Sequence, residues 1–197
     1  MLRYVFGTLV LGCALLACQR AHAADKLKIG DAGPEWIALD GTDSKTHSLS
    51  DYKDAKAVVV VFTCNHCPVA TAYQDRLVAV QKDYADKGVQ VVAICESKMP
   101  ADNLEAMKQR AKDAGFNFPY LCDPSQKSAI DYGATCTPHV FVLDKDRKVA
   151  YMGAIDDSMK ADKVDKQYLR AALDAILDGK QPETPVTKQF GCGIHYE

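Results

Sequence analysis

Cys64 and Cys67 stand three positions apart in Cys64-Asn65-His66-Cys67-Pro68, directly after the apolar run Ala57 to Phe62. Two cysteines at this spacing suit three kinds of chemistry: a structural bridge, a metal clamp, or a dithiol that is oxidised and reduced in turn. A bridge across so short a loop constrains little of the unfolded chain and adds little stability. A zinc clamp needs four ligands, usually a second CxxC or an HxxxH, and the sequence offers neither. Copper held by Cys64, Cys67 and a distant histidine such as His139 stays open, as the cargo of a non-catalytic carrier. A redox dithiol needs only two sulfurs within bonding reach, one of them activated, at an exposed strand end. That is the reading the pattern favours, and it calls for no cofactor and no resident metal.

The dithiol must be positioned by what flanks it. Ala57 to Phe62 (AVVVVF) is apolar and largely β-branched throughout, the pattern of a strand covered on both faces. Val69, Tyr73, Leu77, Val80 and Tyr84 then recur at helical spacing, and Gly88 closes that helix. Cys64 is therefore expected at the helix start with Cys67 one turn inside. There, unpaired backbone N–H groups and the positive end of the helix dipole favour a thiolate at Cys64. Such settings bring a cysteine from about 8.5 down to roughly 3.5–7.5. His66, when protonated, would add positive charge.

The rest of the chain continues the alternation. Lys26 to Leu39 reads as a short extended segment, followed by a polar loop to about Lys56. Val89 to Ile94 is a second buried strand, and Leu104 to Ala114 a second helix closed by Gly115. Asp123-Pro124 predicts an N-cap with proline at the first helical position, opening a short helix that stops at Gly133. His139 to Leu143 and Lys148 to Ala154 flank a polar turn and predict an antiparallel hairpin. A last helix runs through Leu169 to Leu177 and ends at Gly179. The fold class is α/β, a mixed central sheet with helices on both faces and a helical insertion.

The first 23 residues carry Arg3, an apolar stretch from Tyr4 to Ala17 and the small-x-small site Ala21-His22-Ala23. This is the layout of a secretory signal peptide, and the run is shorter than the roughly 20 residues a spanning helix needs. Leu15-Leu16-Ala17-Cys18 also matches a lipobox, whose signal would end at residue 17 and anchor the chain to a membrane through Cys18. The expected location is the periplasm or another exported compartment. Without residues 1–23 the chain keeps 22 basic and 26 acidic residues, no basic run and little aromatic content. Nucleic acid binding has no electrostatic support in that balance. One domain over residues 26–180 and a tail over 181–197 are expected, the tail disordered unless Cys192 ties it down. Of the other cysteines, Cys95 and Cys122 read as small buried apolar residues. Cys136 precedes Thr137-Pro138 and is expected either to act as a third redox sulfur or to bridge to Cys192 with the GCGIHYE tail folded back over the site; the four cysteines outside the motif allow three full pairings.

The chain resembles the thioredoxin-fold redoxins, a superfamily of thioredoxin-like thiol–disulfide oxidoreductases and thiol-specific antioxidant proteins. The matching residues are Cys64-Asn65-His66-Cys67-Pro68 after the strand, Thr137-Pro138 before the hairpin, and the leader GDAGPEWIALDGTDSKTHSLSDYK. The resemblance spans about Lys28 to Asp178. It implies a thioredoxin-like fold and exchange of a dithiol with thiol- or disulfide-bearing protein substrates, served by an unidentified redox partner. It implies site residues Cys64, Cys67, His66, Thr137 and Pro138, with Pro138 cis and the Thr137 backbone free to hydrogen-bond a substrate chain. Three departures stand out. The usual tryptophan before the motif is Thr63. The strand Val58 to Phe62 carries no acid to accept the inner cysteine's proton, which leaves Glu96 and Asp75 as unassigned candidates. The proline and threonine that precede a peroxidatic cysteine are replaced by Val60 and Cys64, which ranks a peroxiredoxin-like activity second.

Overall fold

The structure, a computed structural model, describes residues 27–197. The leader and its two cleavage readings lie outside the described residues. In chain order the elements are β1 (Leu39–Gly41), β2 (Thr46–His47), β3 (Ala57–Phe62), α1 (Pro68–Ala72), α2 (Gln74–Tyr84), β4 (Val89–Cys95) and α3 (Leu104–Asp113). They continue with β5 (Tyr120–Cys122), α4 (Lys127–Tyr132), β6 (Cys136–Thr137), β7 (His139–Leu143), β8 (Val149–Gly153), α5 (Tyr168–Leu177) and β9 (Cys192–Gly193). Seven strands make one sheet in the order β2-β1-β5-β4-β3-β7-β8, and β6 pairs with β9 apart from it. β3, β4 and β5 run parallel, and the remaining pairings in the sheet are antiparallel.

β3 sits centrally because all six of its residues are apolar and can be buried on either face. Ala57, Val59 and Val61 point into one cluster with Tyr73, Leu77 and Val80 of the first helices, Met107 of α3, and Leu169 and Leu173 of α5. Val58, Val60 and Phe62 point into the other, with Trp36, Leu49, Tyr132 and Phe141. This two-sided burial fixes the strand's register, since a one-residue slip would exchange its faces. It thereby fixes where the strand releases the chain into Thr63 and Cys64.

Four local expectations change. The stretch read as a loop to Lys56 contains the small hairpin β1–β2, which joins the sheet through β5. β5 itself lies where only a helical insertion was expected. The first helix breaks at Tyr73, whose backbone at φ −100°, ψ −6° leaves the regular helical range. α4 begins at Lys127, not at Pro124: Gln126 takes a left-handed φ of 62°, and Asp123 accepts from the Ser128 N–H at 2.8 Å instead of capping directly.

The tail straps the molecule. Val186 bridges to Met152, and the Thr187 hydroxyl accepts from the Ala154 N–H at 2.9 Å. Gly153, at φ 140°, lets the tail pass: a Cβ there would lie 2.4 Å from the Thr187 carbonyl oxygen. Further on, Phe190 packs edge-on against Tyr73, and β9 pairs antiparallel with β6.

Candidate active site

β3 ends at Phe62, and the loop Thr63–His66 carries the chain to α1. Cys67, not Cys64, is the N-cap of α1, and its sulfur accepts from the Ala70 N–H at 3.3 Å. Pro68 follows at the first helical position, where its missing N–H costs no hydrogen bond. Cys64 thus sits upstream of the helix, away from the free N–H groups expected to stabilise its thiolate.

A buried acid organises the loop. Asp102, in the single turn Pro100–Asp102, accepts from the Asn65 N–H at 2.6 Å and the His66 N–H at 3.2 Å, and its second oxygen meets His66 Nδ1. The Asp102 side chain is fully buried, whereas the His66 ring stays 41% exposed. The Asn65 side chain is also held, by the Ala101 carbonyl and the Tyr120 hydroxyl. His66 is therefore an oriented ring at the rim, held through Nδ1 by Asp102.

From the other side come Thr137 and Pro138, joined by a cis peptide bond. The Thr137 hydroxyl lies 3.4 Å from the Cys64 sulfur, and its carbonyl oxygen 3.1 Å from the Cys67 sulfur. All five residues singled out from sequence, Cys64, His66, Cys67, Thr137 and Pro138, thus converge on one place. The bridge there is different from either one expected. Cys67 is bonded to Cys192, with Cα atoms 6.0 Å apart, while Cys64 and Cys136 are free thiols. The tail does fold back over the site, but β9 sets Cys192 opposite Thr137, and Cys136 faces Gly193 instead. Cys192 is therefore carried past Cys136 to Cys67.

The electrostatics also reverse an expectation. Burial pushes the Cys64 thiol up to about 11, and the negative charges of Asp102 and Glu96 act the same way; the Thr137 hydroxyl and the Cys67 N–H oppose them. Cys64 is only 2% exposed, in a cavity it lines together with Cys192 and Ile194 of the tail, so removal from water outweighs two hydrogen bonds. Glu96, the first residue after β4, is 2% exposed, and one of its carboxylate oxygens has no partner. Burial raises it to about 8. It lines a cavity with Cys64, His66, Thr137 and Cys192. Sequence offered Glu96 only as an unassigned candidate, and Asp102 carried no signal beyond a polar turn after Pro100.

The copper trio does not assemble. Cys67 is already bonded, and His139 is buried beside Phe141 with Nδ1 accepting from the Thr135 N–H at 3.3 Å. Among the described residues, one group brings metal-capable atoms within 4.8 Å of one another: Cys64, His66 and Asp102. Its acid already accepts from the Asn65 and His66 N–H groups and meets His66 Nδ1. In the peroxidatic alignment Val60 lies buried inside β3, and Cys67 is covered and bonded to Cys192. No helix among the described residues is long and apolar enough to cross a membrane.

Comparison with known proteins agrees with this geometry. A family model described as Redoxin matches residues 28–168. The chain is 31% identical over 129 residues to the thiol-disulfide oxidoreductase ResA of Bacillus thuringiensis, covering 64% of this chain and 69% of ResA. An uncharacterised conserved protein of Geobacillus kaustophilus superposes with a TM-score of 0.81 at 36% identity, over 88% of this chain and 94% of its own. A putative thiol:disulfide interchange protein DsbE of Chlorobium tepidum superposes with a TM-score of 0.65 at 25% identity, over 77% of this chain and 99% of its own. With its thioredoxin-like sheet, its convergent sulfurs and this family match, the chain belongs to the redoxin family and is a thioredoxin-like thiol–disulfide oxidoreductase.

Proposed function

We propose that the protein is exported and exchanges a Cys64–Cys67 dithiol and disulfide with protein substrates. The observation that carries this reading is the free Cys64 thiol held against Thr137, beside a Cys67 sulfur already engaged in a bridge. Cys64 attacks a substrate disulfide, and Cys67 then attacks Cys64 to release the reduced substrate. Reactivity depends on the tail's position. With the tail in place Cys64 is buried and protonated. With the tail lifted, the Thr137 hydroxyl and the Cys67 N–H still donate to the sulfur while the cost of burial falls, so the thiolate becomes accessible. Glu96, on the wall of the same cavity, is held mostly protonated near neutral pH by its burial and takes up the role of proton acceptor as it ionises toward about pH 8.

The substrates are proteins bearing disulfides or thiols, and the potential of the redox partner sets the direction of exchange. Export rests on the leader over residues 1–23; lipidation at Cys18 would keep the domain at a membrane surface. The test is reduction of insulin by dithiothreitol, with wild type compared against Cys64→Ser. The variant is expected to fall to the uncatalysed rate, and a variant as active as wild type would remove Cys64 from the mechanism.

A further inference from the structure

The tail lies where a substrate would. β9 pairs with β6 so that Thr137 faces Cys192 and Cys136 faces Gly193. That is the backbone edge an extended substrate chain is expected to use. The approach is close enough to constrain sequence: a Cβ on Gly191 would fall 2.1 Å from the Thr137 carbonyl oxygen. Only glycine fits immediately before Cys192 in this pose. Downstream, the Ile194 N–H donates to the Thr135 carbonyl at 3.1 Å, and Gln126 bonds both the His195 carbonyl and the Glu197 N–H. The strand is thus seated on both sides of its cysteine.

Access differs sharply among the three cysteines. Cys67 is wholly buried and Cys64 is 2% exposed, whereas Cys192 is only half-buried. An external thiol reaches the bridge from the tail side. We propose that Cys192 is a third redox-active cysteine, which takes the disulfide from Cys64–Cys67 onto the tail and presents it to an external dithiol reductant. While it does so, the tail strand closes the substrate edge along Thr137. This inference rests on the exchange reading above and adds the step that follows it.

The chemistry balances without a further oxidant. After a substrate disulfide has been reduced, the Cys192 thiolate attacks the Cys67 sulfur; the Cys67–Cys192 bond forms, the Cys64–Cys67 bond breaks, and Cys64 leaves as a thiolate that takes up a proton. One disulfide is exchanged for another, and no electrons leave the protein. The external dithiol then attacks Cys192, and Cys67 departs as a thiolate. The second thiol of the reductant attacks the sulfur now bound to Cys192 and frees it. The reductant ends as a disulfide, and the protein regains three thiols. Between these steps Cys64 is covered, so it does not capture a second substrate that the bridged Cys67 is unable to resolve.

The experiment follows bridges and rates in the full chain. Oxidised protein is blocked with N-ethylmaleimide and peptide-mapped; its re-reduction by dithiothreitol is sampled by acid quench and counted as alkylated thiols. Wild type is expected to yield a Cys67–Cys192 peptide. Cys192→Ser is expected to hold only Cys64–Cys67 and to re-reduce about tenfold more slowly, because its bridge is buried. Gly191→Ala keeps every sulfur but unseats the strand, and is expected to shift the bridge toward Cys64–Cys67. A free Cys192 in oxidised wild type, or re-reduction of Cys192→Ser at the wild-type rate, overturns the proposal. Cys64→Ser is run alongside in the insulin assay: its loss of turnover with wild-type re-reduction of Cys192→Ser removes the tail step alone, whereas retained turnover removes the exchange reading beneath it.

Discussion

At Cys64 two opposing influences meet on one sulfur. The Thr137 hydroxyl and the Cys67 N–H stabilise a thiolate, while burial beneath the tail and the charges of Asp102 and Glu96 oppose it. Burial wins in the bridged state, and the thiol is pushed up to about 11. A thiol ionises only as pH rises through its pKa, so at neutral pH the bridged protein presents almost no nucleophile; relative to an ordinary cysteine the thiolate fraction falls by about two orders of magnitude. Opening the tail restores water to the sulfur but leaves both hydrogen-bond donors in place, so the shift should reverse. Iodoacetamide labelling of Cys64, followed by mass spectrometry across pH, is expected to rise toward about pH 11 in the oxidised protein. After reduction the midpoint is expected below that of free cysteine. Identical midpoints in the two states would mean that the tail does not govern this thiol.

The elements differ in how far sequence alone revealed them. β3 and β4 were plain because short apolar runs rich in β-branched residues between turn residues admit few other readings, even with Gln90 interrupting the second. The hairpin β7–β8 was equally plain from its polar turn. β5 was missed because three residues, Tyr120 to Cys122, are too few to show a period, and only pairing beside β4 makes them a strand. The convergence of Cys64 and Thr137 was legible through family resemblance. The partner of Cys192 was not, because the register of β9 against β6 decides it, and neither two-residue strand has a pattern of its own. Asp102 shows the same limit: its role exists only because the turn Pro100–Asp102 docks beneath the CxxC loop. Removing that acid leaves the Asn65 and His66 N–H groups without their acceptor. Asp102→Ala is therefore expected to cost about 1–3 kcal/mol, read as a lower urea midpoint, and to speed amide exchange at Asn65. Asp102→Asn keeps an acceptor and is expected to recover part of both. Unchanged exchange at Asn65 in the alanine variant would remove Asp102 as the organiser of the loop.

At the scale of the whole molecule, the tail and the sheet make one redox-dependent unit. The sheet is held by two apolar clusters whose buried residues come from the strands, the helices and the segments between them. The tail is held at their edges by Phe190 against Tyr73 and by the half-buried Cys192 and Ile194, and otherwise by scattered hydrogen bonds, the two-residue pairing of β9 and one covalent bond. That bond joins residues 125 positions apart. On the chain-entropy argument a loop of this size is worth about 4–5 kcal/mol, whereas a bridge between Cys64 and Cys67 would contribute little. The two oxidised forms therefore differ in stability although each contains one disulfide. Oxidised wild type is expected to melt about 10 °C above its reduced form, taking about 2–4 °C per kcal/mol for a domain of this size. Oxidised Cys192→Ser is expected to melt close to reduced wild type, because its remaining bridge closes only the short loop. Calorimetry of the three samples at one pH distinguishes a long-range bridge from a local one. Equal melting temperatures for oxidised wild type and oxidised Cys192→Ser would show that the long loop is not closed in solution. A difference confined to the wild type would instead tie global stability to the same sulfur that carries the disulfide outward, so that reduction both recharges the site and loosens the strap over it.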